Sequence, residues 1–99
     1  MAFGLKRAEL EAWKQKVKQG DIAYLTHYWY DPRFPDVKTV TKVGCANLER
    51  LVKWGEKHNI PEKYIDHKLE YPHFDLFGAR QREIMTKENM QEQLHKFKI

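Results

Sequence analysis

Ile22-Ala23-Tyr24-Leu25-Thr26-His27-Tyr28-Trp29-Tyr30 is the run on which the reading of the fold turns. Nearly every residue in it is β-branched, aromatic or otherwise suited to a pleated sheet. Alternation puts Ala23, Leu25, His27 and Trp29 on one face. Both faces are largely apolar, which predicts a central strand over residues 22–30. The prolines and aspartates of Asp31-Pro32-Arg33-Phe34-Pro35-Asp36 then predict a loop. Residues 37–43 follow as a second strand, with Val37, Thr39, Thr41 and Val43 on one face. Lys38 and Lys42 lie on the other, which suggests a position nearer the edge.

Outward from this pair the pattern becomes helical. Leu10, Trp13 and Val17 form an apolar stripe over residues 6–18, and Gly20 is a stop signal. Asn47 is a good N-cap for a helix over 48–58, buried along Leu48, Leu51, Val52 and Gly55. Asn59 ends it, and Pro61 opens a short helical turn. Residues 72–77 read as a third, short strand or an extended loop, broken by Gly78. Helices over 79–85 and 88–97 complete the order α-β-β-α-α-β-α-α. The expected fold class is α/β, more narrowly α+β: a small mixed three-stranded sheet packed against helices. The 99 residues are expected to make a single domain.

Composition narrows the function. Charged residues are 32% and hydrophobic residues 41%, as in a folded globular chain rather than a disordered one. A single cysteine, Cys45, forms no internal disulfide. No secretory h-region and no apolar run long enough to span a membrane are present, so a cytoplasmic protein without membrane partners is expected. The net charge of +4 is uneven. Residues 1–20 and 37–58 each carry +3, residues 21–36 carry −2, and residues 59–99 are neutral. Such a surface favours phosphate-bearing partners.

The motif richest in chemistry is Tyr71-Pro72-His73-Phe74-Asp75-Leu76. In an extended segment Phe74 and Leu76 face one way, and His73 and Asp75 face the other. An imidazole beside a carboxylate is either an acid/base pair or two ligands of a divalent metal, the one cofactor the sequence suggests. His27 and Asp31 bracket the end of the central strand, and Arg33 is a candidate anion contact. Were the strands carrying them neighbours, His27, Asp31, His73 and Asp75 would converge. Arg80 and Arg82 open the helix after Gly78, where a helix N-terminus favours anions. Each residue also has a structural reading. Asp31 would initiate a turn, Asp75 would cap a helix, and Arg80 would join a salt bridge.

Other chemistries are excluded. No phosphate-binding loop of G-x-x-x-x-G-K-[ST] type and no dinucleotide fingerprint is present. The chain has no serine, which removes a serine nucleophile. Residues 48–66 resemble a helix-turn-helix in outline, but the recognition segment offers few base-reading side chains.

The segment from Thr26-His27-Tyr28-Trp29-Tyr30-Asp31 through Leu51-Val52-Lys53-Trp54-Gly55 to Pro72-His73-Phe74-Asp75-Leu76 resembles a small bacterial and phage domain of unknown function. That domain carries a Pro-His-(Phe/Tyr)-Asp motif before a basic helix. The whole chain is similar to the uncharacterised YneQ-like proteins of bacilli. The resemblance implies no activity. It draws attention to His73, Asp75, Asp31 and Arg80 without assigning them roles. Pro32 stands where the domain's pattern has a second acidic residue.

These observations together lead to an expected binding module for an anionic ligand, a nucleotide or nucleic-acid phosphate. His27, Asp31, Arg33, His73, Asp75 and Arg80 are its candidate ligand-binding residues. The alternatives are a structural protein that oligomerises through Trp13, Trp54 or the Met90-Leu94-Phe97 stripe, and a metal-assisted phosphodiester hydrolase.

Overall fold

The computed structural model describes residues 2–3, 5–67 and 71–99. Its elements run β1 (Ala2–Phe3), α1 (Arg7–Lys18), β2 (Ala23–Trp29), β3 (Thr39–Gly44), α2 (Leu48–Lys57), a 3-10 turn (Glu62–Tyr64), β4 (His73–Leu76), α3 (Gly78–Lys87) and α4 (Gln91–Lys96). The architecture is α+β, as the periodicity predicts. The sheet differs in three respects. It has four strands in the order β1-β2-β3-β4, because Ala2 and Phe3 pair with Trp29 and Tyr28. It is antiparallel rather than mixed. The Trp29 N–H donates to the Lys38 carbonyl while the Thr26 and Thr41 hydroxyls meet, so β2 ascends as β3 descends. Finally, β3 is an interior strand, not an edge strand.

The chain falls into two compact units. The first comprises Met1–Leu5, Thr26–Thr41 and Leu76–Ile99; the second comprises Lys6–Leu25 and Lys42–Asp75.

Aromatic side chains dominate the interior of the second unit. Helix α1 buries Trp13 and Val17, and the Trp13 indole N–H donates to the Ala23 carbonyl at 3.0 Å. Gly44 makes this contact possible: a Cβ there would lie 2.6 Å from the Trp13 ring. Helix α2 starts where expected, with the Asn47 side chain accepting the Arg50 N–H at 3.1 Å. It stops where expected too. Asn59 adopts a positive φ of 61°, and the Ile60 N–H reaches back to the Gly55 carbonyl at 2.8 Å, a Schellman arrangement. Gly55 lets α2 settle onto Phe74, whose ring would lie 2.6 Å from an added Cβ. Trp54 packs against the same ring and donates to the Tyr24 hydroxyl. Alternation along β4 thus turns Phe74 toward α2 and His73 toward α1, where Trp13 meets the imidazole edge-on at 6.1 Å.

Hydrogen bonds tie together the interior of the first unit. The Thr26 and Thr41 hydroxyls lie 2.7 Å apart, the Gln81 amide donates to Thr41 at 2.9 Å, and the Thr39 hydroxyl donates to Gln81 at 3.2 Å. All four residues are buried. Ile84 and Met85 of α3 are buried, the Met85 sulfur accepting from the Thr41 hydroxyl at 3.3 Å, and Phe97 packs on Tyr28 with ring centres 5.1 Å apart.

Candidate functional site

His73 is the centre of the densest group of functional side chains in the second unit. It is held from two directions. Its backbone exchanges both hydrogen bonds with Asp66, at 2.8 and 3.0 Å, in an isolated antiparallel bridge. Its ring Nδ1 lies 2.8 Å from the Tyr71 carbonyl. A carbonyl only accepts, so Nδ1 carries a proton and donates it. Nε2 faces the Lys42 ammonium at 3.3 Å, and an ammonium only donates, so Nε2 offers its lone pair there. Two carboxylates face the same nitrogen, Asp75 Oδ2 at 3.7 Å and Asp66 Oδ2 at 3.9 Å. Lys42 also bonds Asp75 Oδ1 at 3.3 Å. The imidazole is buried, whereas the Asp66 and Asp75 side chains are 31% and 40% exposed, so the group opens to solvent on its acidic side.

His73 and Asp75 therefore stand together, as the alternation predicts. Asp66 and Lys42 join them without having been singled out. Lys42 arrives because β3 is interior and runs alongside β4. Asp66 arrives through the isolated bridge to His73, which no periodicity announces. Asp75 pairs with Lys42 and does not cap α3, whose N-cap is Phe77 with no side-chain bond.

The remaining candidates belong to the first unit. Asp31 and Arg33 close on each other. The Asp31 carboxylate accepts the Arg33 backbone N–H at 2.9 Å and guanidinium hydrogens at 2.6 to 3.1 Å. The guanidinium and backbone bonds hold the Asp31 carboxyl at about 2, below its usual 3.8, and raise Arg33 in turn. Asp31 is covered by the guanidinium it binds rather than sunk in the protein, since Arg33 is 79% exposed. His27 is buried, with Nδ1 3.0 Å from the Tyr28 carbonyl. Arg80 is exposed on the first turn of α3.

The first unit also contains a cleft of about 690 Å³ that the sequence reading did not foresee. Tyr28, Tyr30 and Phe97 supply aromatic surface to it, and Lys38, Arg82 and Lys98 supply charge. Among the described residues, Asp36 is the one carboxylate side chain on its wall. Among the described residues, none of these three cations takes part in an ion pair. The contributing segments lie far apart in the chain, so no local motif marks the cleft.

Fold and sites together define a small α+β protein with an antiparallel sheet. Among the described residues no helix is long and apolar enough to cross a membrane. No protein-family model matches the chain, so the wider bacterial and phage resemblance gains no support there. No solved structure matches it either. It is 52% identical over 99 residues to the uncharacterised protein YneQ of Bacillus subtilis (strain 168), and the match covers all of both chains. The chain belongs to the YneQ family.

Proposed function

We propose that this protein is a binding module for an anionic ligand bearing an aromatic ring, a nucleotide or a nucleotide unit of a single strand, held in the cleft of the first unit. One observation carries the reading: three cations that form no ion pair among the described residues, Lys38, Arg82 and Lys98, border a cavity into which Tyr28 and Tyr30 present exposed rings. Cations that no carboxylate neutralises attract phosphate. Aromatic faces accept a base by stacking, at roughly 1–3 kcal/mol per base. The residues differ from those the sequence favoured, since Arg33 is already engaged by Asp31. The oligomeric alternative loses its anchors, because Trp13, Trp54, Leu94 and Phe97 are buried within the chain.

Titration of the intact protein with mononucleotides and short single-stranded oligonucleotides, followed by tryptophan fluorescence, tests the reading. The expected result is saturable binding at low salt that weakens as salt rises. Lys38→Ala/Arg82→Ala should reduce it at least about tenfold, corresponding to roughly 1.4 kcal/mol. Mononucleotide binding alone would identify a small-molecule site, and oligonucleotide binding alone a nucleic-acid site. No binding of either at low salt would refute the proposal. Cleavage of the oligonucleotide during titration would point instead to the hydrolase alternative.

A further inference from the structure

We propose that Asp66, His73 and Asp75 form a site for a divalent transition-metal ion such as zinc, and that the Lys42 ammonium occupies the cation position until the metal displaces it. The inference rests on the second unit alone and is independent of the cleft.

Three observations support it. The first is the orientation of His73. Its Nδ1–H is tied to the Tyr71 carbonyl, which leaves Nε2 with a lone pair, now facing Lys42 and within 4 Å of both carboxylates. Metal-binding histidines are commonly fixed in this way, with the second ring nitrogen bonded to a carbonyl. The second is spacing. Zinc bonds of about 2.0–2.1 Å in a tetrahedron separate neighbouring donors by roughly 3.3 Å. Nε2 lies 3.7 Å from Asp75 Oδ2 and 3.9 Å from Asp66 Oδ2, and all three donor atoms lie within 4.8 Å of one another. The His73–carboxylate separations need to close by a few tenths of an ångström and the two carboxylates by up to about 1.5 Å, a side-chain rotation for partly exposed aspartates, and the exposed acidic side leaves the fourth corner for water. The third is that a positive charge already sits among these donors. Lys42 Nζ lies 3.3 Å from both Nε2 and Asp75 Oδ1. An ammonium there stands in part for a metal ion: it satisfies the His73 Nε2 lone pair and one oxygen of Asp75 with one charge instead of two. The Lys42 side chain is 31% exposed, so it has solvent to move into.

A nitrogen and two carboxylate oxygens suit zinc or manganese better than calcium, which takes oxygen ligands. A plain surface salt bridge between Lys42 and Asp75 would not require a fixed histidine tautomer. The two readings predict opposite effects of removing the lysine. In a salt bridge its loss only weakens the fold. In a metal site its loss removes the competing cation.

The test is zinc titration of the full chain by calorimetry, with cobalt as a spectroscopic probe of tetrahedral geometry. The expected result is one zinc per chain, weakened at least about tenfold by Asp66→Asn and by Asp75→Asn. Lys42→Met should tighten binding by about tenfold. His67→Ala, an exposed neighbour, should leave it unchanged. Circular dichroism of each variant confirms that the fold persists. Zinc uptake by neither wild type nor Lys42→Met overturns the proposal. So does uptake that is insensitive to both aspartate substitutions or lost in His67→Ala.

Discussion

The two units solve the problem of an interior differently. The second is packed with rings: Trp13, Trp54 and Phe74 bury large apolar surfaces, with polar atoms only at their rims. The first closes around hydroxyls and an amide from Thr26, Thr39, Thr41 and Gln81, every one buried. Charge is handled in opposite ways as well. Beside His73, Lys42 pairs with Asp75, one of two aspartates that face the ring. Around the cleft, cations collect without such partners. An aromatic interior fails by volume, because a removed ring leaves a hole. A hydrogen-bonded interior fails by pairing, because a removed partner leaves a buried donor or acceptor with nothing to bond.

The sharpest way to break the comparison is Phe74→Ala. Phe74 is 1% exposed and touched by both Gly55 and Trp54, so the loss should be about 3–5 kcal/mol by urea denaturation. Overfilling the same interior is the converse. Gly44→Ala sets a methyl 2.6 Å from the buried Trp13 ring and should destabilise by about 1–3 kcal/mol.

In the first unit, Gln81→Leu preserves volume but leaves the Thr39 hydroxyl without its acceptor, at about 1–3 kcal/mol. Adding Thr39→Val should recover much of that loss, since Thr41 keeps Thr26 as a partner. If the double variant were no better than the single, the pairing account of this interior would be wrong.

The smallest effect concerns Asp31. Its carboxyl is lowered to about 2 by Arg33, so its stabilising contribution is complete above the ordinary carboxylate range and disappears as pH falls through that lowered value. The pair is exposed, so salt screens it. Proton NMR titration should place Asp31 near 2 in wild type and raise it toward the ordinary range in Arg33→Ala, which keeps only the backbone N–H bond.

The elements that could be read from the sequence are those whose signals are local. Asn47 caps α2, Asn59 ends it with a positive φ, and residues 22–30 form a strand because their side chains suit nothing else so well. The pairing of His73 with Asp75 followed from alternation alone. Long-range neighbours were not legible. Strand β1 is two residues long, too short for any periodicity. Lys42 looked like a solvent-facing edge residue because its sequence cannot say which strand lies beside it. Gln81 is polar and on a helix, and only the threonines opposite it explain why it is buried.

The bridge between Asp66 and His73 also bears on how copies of this chain meet one another. A strand at the border of a sheet is a template for further strands, and proteins that leave it open tend to stack into fibrils. Here the backbone N–H and carbonyl of His73 are already committed to Asp66, and acidic side chains flank them. An incoming strand would have to break an intrachain pair and bring its backbone against negative charge. The bridge between Asp66 and His73 thus opposes strand addition at this point of β4.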